Sequence, residues 1–391
     1  MNPILPISNI NLNREFELDR DIVYLNHAAD APWSIRAKNN AVAFAEEASR
    51  FGATYYDRWK EAEALLRRQF SQLINASTTN EIAILKNTSE GLSTVAYGLD
   101  WQPGDNVVIP NESFPSNRIV WESLASRGVA THKVSLRNSD VEPELSILNA
   151  IDQRTRLLSV SSVQNNTGLK LNLNVLGEFC RQHSVLFCVD AIQSLGAQPF
   201  DVQAIHADFV TADSHKWMLG PEGVALFFCR EELLDQLRLN RYGWRMVEEP
   251  RNFESENWCV AHSARRFECG SLNMQGIHTL TGSLSLLLEY SITKVAADLD
   301  RNILYLIAGL QKIPRIRITS NTSASRRAGI VCFTAEGVES LRLGQELNNR
   351  NIICSTLNDN IRFSPHFYTS TESIDIALAA LRQAICESVS N

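Results

Sequence analysis

Thr211-Ala212-Asp213-Ser214-His215-Lys216-Trp217-Met218-Leu219-Gly220-Pro221-Glu222-Gly223 is the stretch on which the reading of this chain turns. Asp208-Phe209-Val210-Thr211 reads as a short buried strand, and the Gly/Pro cluster after Met218 reads as a turn. Lys216 therefore stands just past a strand end, beside an apolar sheet. Burying an ammonium without a partner is costly, whereas a desolvated lysine has a lowered pKa and can form an imine or act as a general base. A surface lysine in a turn satisfies the same local pattern, so the decision rests on the neighbouring segments.

On either side of this stretch the chain alternates strands and helices. The strand Val185 to Val189 ends at Asp190 and is followed by Ala191-Ile192-Gln193-Ser194; Val224 to Cys229 is a further strand and Glu231 to Leu239 a helix. Upstream, Ile82–Leu85 leads into Asn87-Thr88-Ser89-Glu90-Gly91 and a helix, which Thr88 or Ser89 is expected to cap. Helix N-termini also hold anions, because their amides and dipole point at the ligand. Asn106–Pro110, Val129–Val134 and Leu157–Ser161 are strands; Phe114-Pro115-Ser116-Asn117 precedes a helix from Arg118 to Ala125, and Gln164-Asn165-Asn166-Thr167-Gly168 closes the third strand. This alternation over residues 81–239 predicts a mostly parallel sheet, and ligands of such sheets sit beyond the carboxyl ends of the strands. The Thr88-Ser89 turn, Asp190 with Gln193, and Ser214-His215-Lys216 all fall there.

Outside this core, Ile35 to Ile74 reads as helical with a break near Phe51-Gly52, and residues 240–272 are aromatic, charged and irregular. A smaller α+β region follows the helix Gly276 to Tyr290; its last helix, from about Thr371 to Ser388, is expected to start with a Thr369/Glu372 capping box. The division expected is a large domain at 19–287 and a smaller one formed by 288–391 with an N-terminal arm at 1–18. With 391 residues, 44% of them apolar, and a formal charge of −7 without a basic stripe, the chain reads as an ordinary globular protein, not a nucleic-acid binder. No apolar run is long enough to span a bilayer, the first residues lack the pattern of a signal peptide, and a cytoplasmic protein without membrane contact is expected. The eight cysteines form no C-x-x-C pair and most of them read as small buried hydrophobes, and no metal site is expected.

An acid to hold a pyridine nitrogen protonated, a lysine for an imine and hydroxyls at a helix N-terminus for a phosphate are what pyridoxal phosphate requires. In that order and spacing the sequence resembles the class V aminotransferase family of fold-type I pyridoxal-phosphate enzymes, which includes cysteine desulfurases, selenocysteine lyase and isopenicillin N epimerase-like proteins. The resemblance runs from Tyr24-Leu25-Asn26-His27-Ala28-Ala29 to the carboxyl terminus. It is carried by Val189-Asp190-Ala191-Ile192-Gln193, His215-Lys216-Trp217 with Gly220-Pro221-Glu222-Gly223, Arg266-Phe267-Glu268-Cys269-Gly270-Ser271, and Ile361-Arg362-Phe363-Ser364-Pro365-His366-Phe367-Tyr368. It implies a mostly parallel seven-stranded sheet in the large domain, pyridoxal 5'-phosphate as cofactor, and a homodimer with its active site at the interface.

By the same resemblance Lys216 is the internal-aldimine lysine and proton carrier, Asp190 pairs with the pyridinium nitrogen, and Gln193 and Asn165 approach the ring hydroxyl. Thr88, Ser89 and His215 bind the phosphate, Gly270 and Ser271 reach a phosphate across the dimer, Arg362 grips the substrate carboxylate, and His27 and Asn165 contact substrate. Three departures stand out. Phe114 replaces the ring-stacking histidine of desulfurases and cannot relay a proton. Asp213 stands where relatives have a phosphate-binding Ser or Thr, and repulsion from a phosphate dianion suggests that it points elsewhere. Cys354, the only thiol shortly before Arg362, lacks the mobile-loop motif of a persulfide carrier and reads as packed. The implied activity is action on a small amino acid through an external aldimine and a Cα carbanion, as a cysteine desulfurase-like C–S lyase working by β-elimination. The alternatives are an aminotransferase, an epimerase, or a non-catalytic binding protein, against which Lys216, Asp190 and Arg362 speak.

Overall fold

In the computed structural model, which describes residues 10–137, 141–254 and 256–390, the runs of branched and aromatic residues become strands. In chain order the elements are β1 (Val23–Tyr24), α1 (Ile35–Phe51), α2 (Tyr56–Ile74), β2 (Ile82–Leu85), α3 (Thr88–Gly98), β3 (Asn106–Pro110), α4 (Pro115–Glu122), β4 (Ala130–Val134), α5 (Pro143–Leu148) and β5 (Thr155–Ser161). Then come α6 (Leu173–Gln182), β6 (Leu186–Asp190), β7 (Phe209–Asp213), β8 (Ala225–Cys229), α7 (Met274–Tyr290), α8 (Ile292–Leu310), β9 (Ile316–Ile318), β10 (Val331–Ala335), α9 (Ser340–Asn349), β11 (Ile352–Ile353), β12 (Ser355–Leu357), β13 (Asn360–Phe363) and α10 (Thr371–Ser390).

Seven strands form the main sheet in the order β2-β8-β7-β6-β5-β3-β4. Pairings from β7 through β4 are parallel, while β8 runs antiparallel to both neighbours. Strands buried on both faces need apolar residues throughout, and Phe209, Val210, Phe227 and Phe228 meet that need at 0–2% exposure. One core cluster joins one face of the sheet to α2, α6, α7 and the smaller region, and a second fills the other face beneath α3 and α4. A four-stranded antiparallel sheet, β12-β13-β10-β9, forms the smaller region, and β1 pairs in parallel with β11, tying the early strand to it.

Several local expectations shift. The break between α1 and α2 falls at Gly52, whose φ of 54° suits glycine. Asn87, not Thr88 or Ser89, caps α3: its side chain accepts from the Glu90 amide at 2.8 Å, leaving Thr88 and Ser89 inside the first turn. The α10 cap is Ser370, whose Oγ accepts from Ser373 N at 3.1 Å, because Thr369 Oγ1 is taken by His366 N at 2.9 Å. Proline starts α4 at Pro115, earlier than the helix expected at Arg118, since its fixed φ suits a first helical turn. The helix expected at Glu231 to Leu239 is a short 3-10 turn, Glu231–Gln236. Of the arm expected at residues 1–18, residues 1–9 lie outside those described. Among the described residues no helix is long and apolar enough to cross a membrane.

Candidate active site

The carboxyl ends of β5, β6 and β7 and the N-termini of α3 and α4 converge on a cavity of about 260 Å3. Thr88, Ser89, Phe114, Asn165, Asp190, Gln193, His215 and Lys216, all anticipated from the sequence, line it. The N-terminus of α3 can approach β7 because residue 91 is glycine: a Cβ there would lie 2.4 Å from Thr211 Oγ1.

Asp190 ends β6 with its carboxylate buried. Oδ2 accepts from Asn117 Nδ2 at 2.6 Å and Oδ1 from Ile192 N at 3.0 Å. Burial raises its pKa, partly offset by these hydrogen bonds and by the Lys216 charge, so a cation placed against it relieves desolvation. Gln193 gives one amide proton to Ala28 O at 3.0 Å and accepts from Trp217 Nε1 at 2.7 Å, which leaves its second amide proton for the cavity.

Lys216 Nζ has neither a hydrogen bond nor a carboxylate within 4.0 Å among the described residues; its neighbour is the Phe114 ring, whose centroid lies 5.9 Å away. Desolvation lowers its pKa against the pull of Asp190, which favours the neutral amine that a nucleophile or base requires. His215 is held neutral, its pKa pushed down to about 4 by burial and then by the Lys216 charge.

Asp213 does not point away. Its Oδ1 accepts from Thr88 N at 3.0 Å, its own amide donates to Thr88 Oγ1 at 3.0 Å, and it lines the cavity. The Thr88 amide is therefore engaged, while its hydroxyl proton is left to donate. Asp213 Oδ2 lies 4.0 Å from His215 Nδ1, but with the ring neutral this is a polar contact and not a salt bridge.

Arg362 lies on β13, not among the residues lining the cavity, yet it is joined to the cavity wall: Nη1 donates to Asn165 O at 3.0 Å and Nη2 to Ser355 Oγ at 3.3 Å. It is 3% exposed, its Nε is unpartnered, and no carboxylate lies within 4.0 Å among the described residues. A buried guanidinium satisfied by neutral acceptors alone is a ready anion site. His27, expected to contact substrate, is fully buried, with Nδ1 on Ser364 O at 2.9 Å and Nε2 on the Tyr368 hydroxyl at 2.7 Å. It clamps the Leu25–Ala28 segment to the β13 end and has no nitrogen left for a ligand. Gly270 and Ser271 do not line the cavity, and a Cβ on Gly270 would meet nothing within 4 Å.

Asn117 and Ser116, at the start of α4, escaped the sequence reading. Asn117 orients Asp190 from 73 positions away, and Ser116 Oγ accepts from Ser89 Oγ at 2.8 Å. The stretch Phe114-Pro115-Ser116-Asn117 before a helix was the available signal, and only Phe114 was drawn from it.

These residues suit pyridoxal phosphate. An unpartnered amine and a buried carboxylate line one cavity, an aromatic ring forms a wall, and hydroxyls at the α3 N-terminus line the same cavity. Residues 29–375 match the family described as aminotransferase class-V. A probable cysteine desulfurase of Methanothermobacter thermautotrophicus is 31% identical over 73% of this chain and 71% of its own length. Two structures of the lyase C-DES are similar in fold. In one, a mutant carries glycine covalently linked to its pyridoxal-phosphate cofactor (TM-score 0.88, 23% identity, 96% of this chain and 99% of that one). The other is a complex of the cystine C–S lyase with its product cysteine persulfide (TM-score 0.86, 24% identity, 93% and 98%). The chain belongs to the class V aminotransferase family and is a pyridoxal-phosphate-dependent enzyme.

Proposed function

We propose that the protein is a C–S lyase that cleaves a small cysteine-related amino acid without a nucleophilic thiol of its own. The observation that carries this reading is the make-up of the cavity: no cysteine lines it. Cys354, between β11 and β12, is buried, and burial pushes its thiol up to about 12, far from the thiolate form that attacks sulfur. The names of the relatives, a probable cysteine desulfurase and a cystine lyase, support a sulfur amino acid as substrate.

When bound, the cofactor supplies an electron sink for negative charge developing at the substrate Cα. Asp190, oriented by Asn117 and the Ile192 amide, holds the ring nitrogen protonated. Arg362 takes the substrate carboxylate through the donors left free by Asn165 O and Ser355 Oγ. Lys216, its pKa lowered by desolvation, removes the Cα proton and holds it. Phe114 covers one face of the site but carries no titratable group, so proton traffic at Cα falls to Lys216 alone. The sulfur leaves from Cβ attached to its own substrate fragment. A second copy of the chain completes the site: a Cβ on Gly270 would meet nothing within 4 Å, and the Gly270-Ser271 segment reaches the cavity of the neighbouring copy.

A panel of amino acids including cysteine and cystine tests the proposal. Pyruvate, ammonia and a sulfide or persulfide are expected in equal amounts. Transfer of the amino group to an added keto acid, or inversion at Cα without bond cleavage, would replace this reading by the aminotransferase or epimerase one.

A further inference from the structure

The α3 end of the cavity, where the family's cofactor phosphate would sit, contains a carboxyl group, and the geometry leaves it no way to avoid that phosphate. Asp213 is fastened at two points to Thr88, through Oδ1 and through its backbone amide, both at 3.0 Å. It continues β7, whose register pairs it with Ala225, so the main chain is fixed as well. The first amide of α3, which would otherwise meet an anion, is thus occupied by a carboxylate. An ionised Asp213 beside a phosphate dianion would place like charges in a site with little water to screen them.

We infer that Asp213 is a proton-carrying member of the phosphate cup, taking up one proton as the cofactor phosphate enters and donating a hydrogen bond to a phosphate oxygen. No bond is made or broken other than to that proton, which comes from solvent. The inference rests on the family's cofactor binding in this cavity. Its surroundings permit the exchange. Burial lifts the Asp213 carboxyl to about 7, with the Asp190 charge adding to the rise and Lys216 opposing it. His215, the ring at 4.0 Å, is neutral and cannot compensate the charge. On the α3 segment Glu90 is committed to the Lys86 amide and to Arg241. From β8 the facing residue, Ala225, carries no charge. Asp190 and Lys216 are thus the titratable groups whose charge acts on Asp213.

Titration calorimetry at pH 8 in two buffers of different ionisation enthalpy counts the protons. The probe is pyridoxine 5'-phosphate, an alcohol that cannot form an imine with Lys216. Its phosphate is already a dianion at that pH, because its second pKa is about 6. Wild-type protein should take up about one proton more per site than Asp213→Ser or Asp213→Asn. The asparagine variant retains an acceptor for the Thr88 amide and so separates proton carriage from folding. Above pH 7 the wild-type Kd for the probe should rise about tenfold per pH unit relative to either variant. Equal proton uptake by all three proteins would overturn the inference and leave the cofactor assignment intact. Failure of the wild type to bind either the probe or pyridoxal phosphate would overturn both.

Discussion

Removing the Glu268 carboxylate should be the most damaging single change outside the cavity. Glu268 is 2% exposed and ends the Arg266-Phe267-Glu268 run two residues before Gly270. Oε1 accepts from the Ile84 amide of β2 at 2.7 Å, and Oε2 accepts from Arg67 Nη2 of α2 at 2.7 Å, with Arg245 at 3.8 Å. Glu63 bridges the same two arginines, at 2.8 Å from Arg67 and 2.6 Å from Arg245. Two acids and two bases balance in a desolvated cluster, and Glu268→Ala leaves one net buried positive charge and an unpartnered strand amide. Breaking such a buried pair costs about 3–5 kcal/mol. By contrast, cutting the Arg36–Glu289 pair, whose side chains are 29% and 42% exposed, should cost about 0–1 kcal/mol. Equilibrium urea unfolding of cofactor-free protein, with Glu289→Ala as the reference, measures the difference. Because Glu268 anchors the segment expected to cross to the second copy, weaker cofactor retention should accompany the loss. A Glu268→Ala penalty no larger than that of Glu289→Ala would refute the reasoning, since it would mean that water already reaches the cluster.

Three further outcomes follow from the site. Lys216→Ala should abolish the visible imine absorbance that wild-type protein gains with pyridoxal phosphate, while non-covalent retention of the cofactor, followed by equilibrium dialysis, persists. Arg362→Ala should raise KM by on the order of tenfold to a hundredfold, the equivalent of about 1.5–3 kcal/mol for a charged hydrogen bond, whereas Arg362→Lys recovers only part because it loses the forked geometry; steady-state kinetics separates the two. Cys354→Ala should leave kcat within about twofold and lower stability modestly, since a small buried side chain is shortened where it packs.

Much of the site was legible because its residues end strands whose apolar cores declare themselves: Val185 to Val189 points to Asp190, and Phe209-Val210 points to Lys216. The contacts that tune it were not legible, because they join segments far apart in the chain. Nothing local marks Asn117 as the partner of Asp190, or sets Glu268 of an irregular segment against Ile84 of a strand. His27 illustrates the converse. A histidine in a small-residue turn looks like a ligand group until the Ser364 carbonyl and the Tyr368 hydroxyl, brought in by the far end of the chain, are seen to occupy both nitrogens. For Asp213 the electrostatic argument from sequence gave the wrong orientation, because it weighed the phosphate and not the Thr88 amide that the carboxylate already satisfies.

The claim that sulfur departs without passing through a protein thiol is tested most directly by trapping the enzyme during turnover. Wild-type protein incubated with cystine or cysteine is quenched with an alkylating agent, and its intact mass and cysteine peptides are recorded alongside small-molecule persulfide and sulfide. The account predicts all of the released sulfur in the small-molecule fraction and Cys354 unmodified. A persulfide on Cys354 that forms and decays at the rate of turnover, with alanine in place of pyruvate as the carbon product, would contradict it.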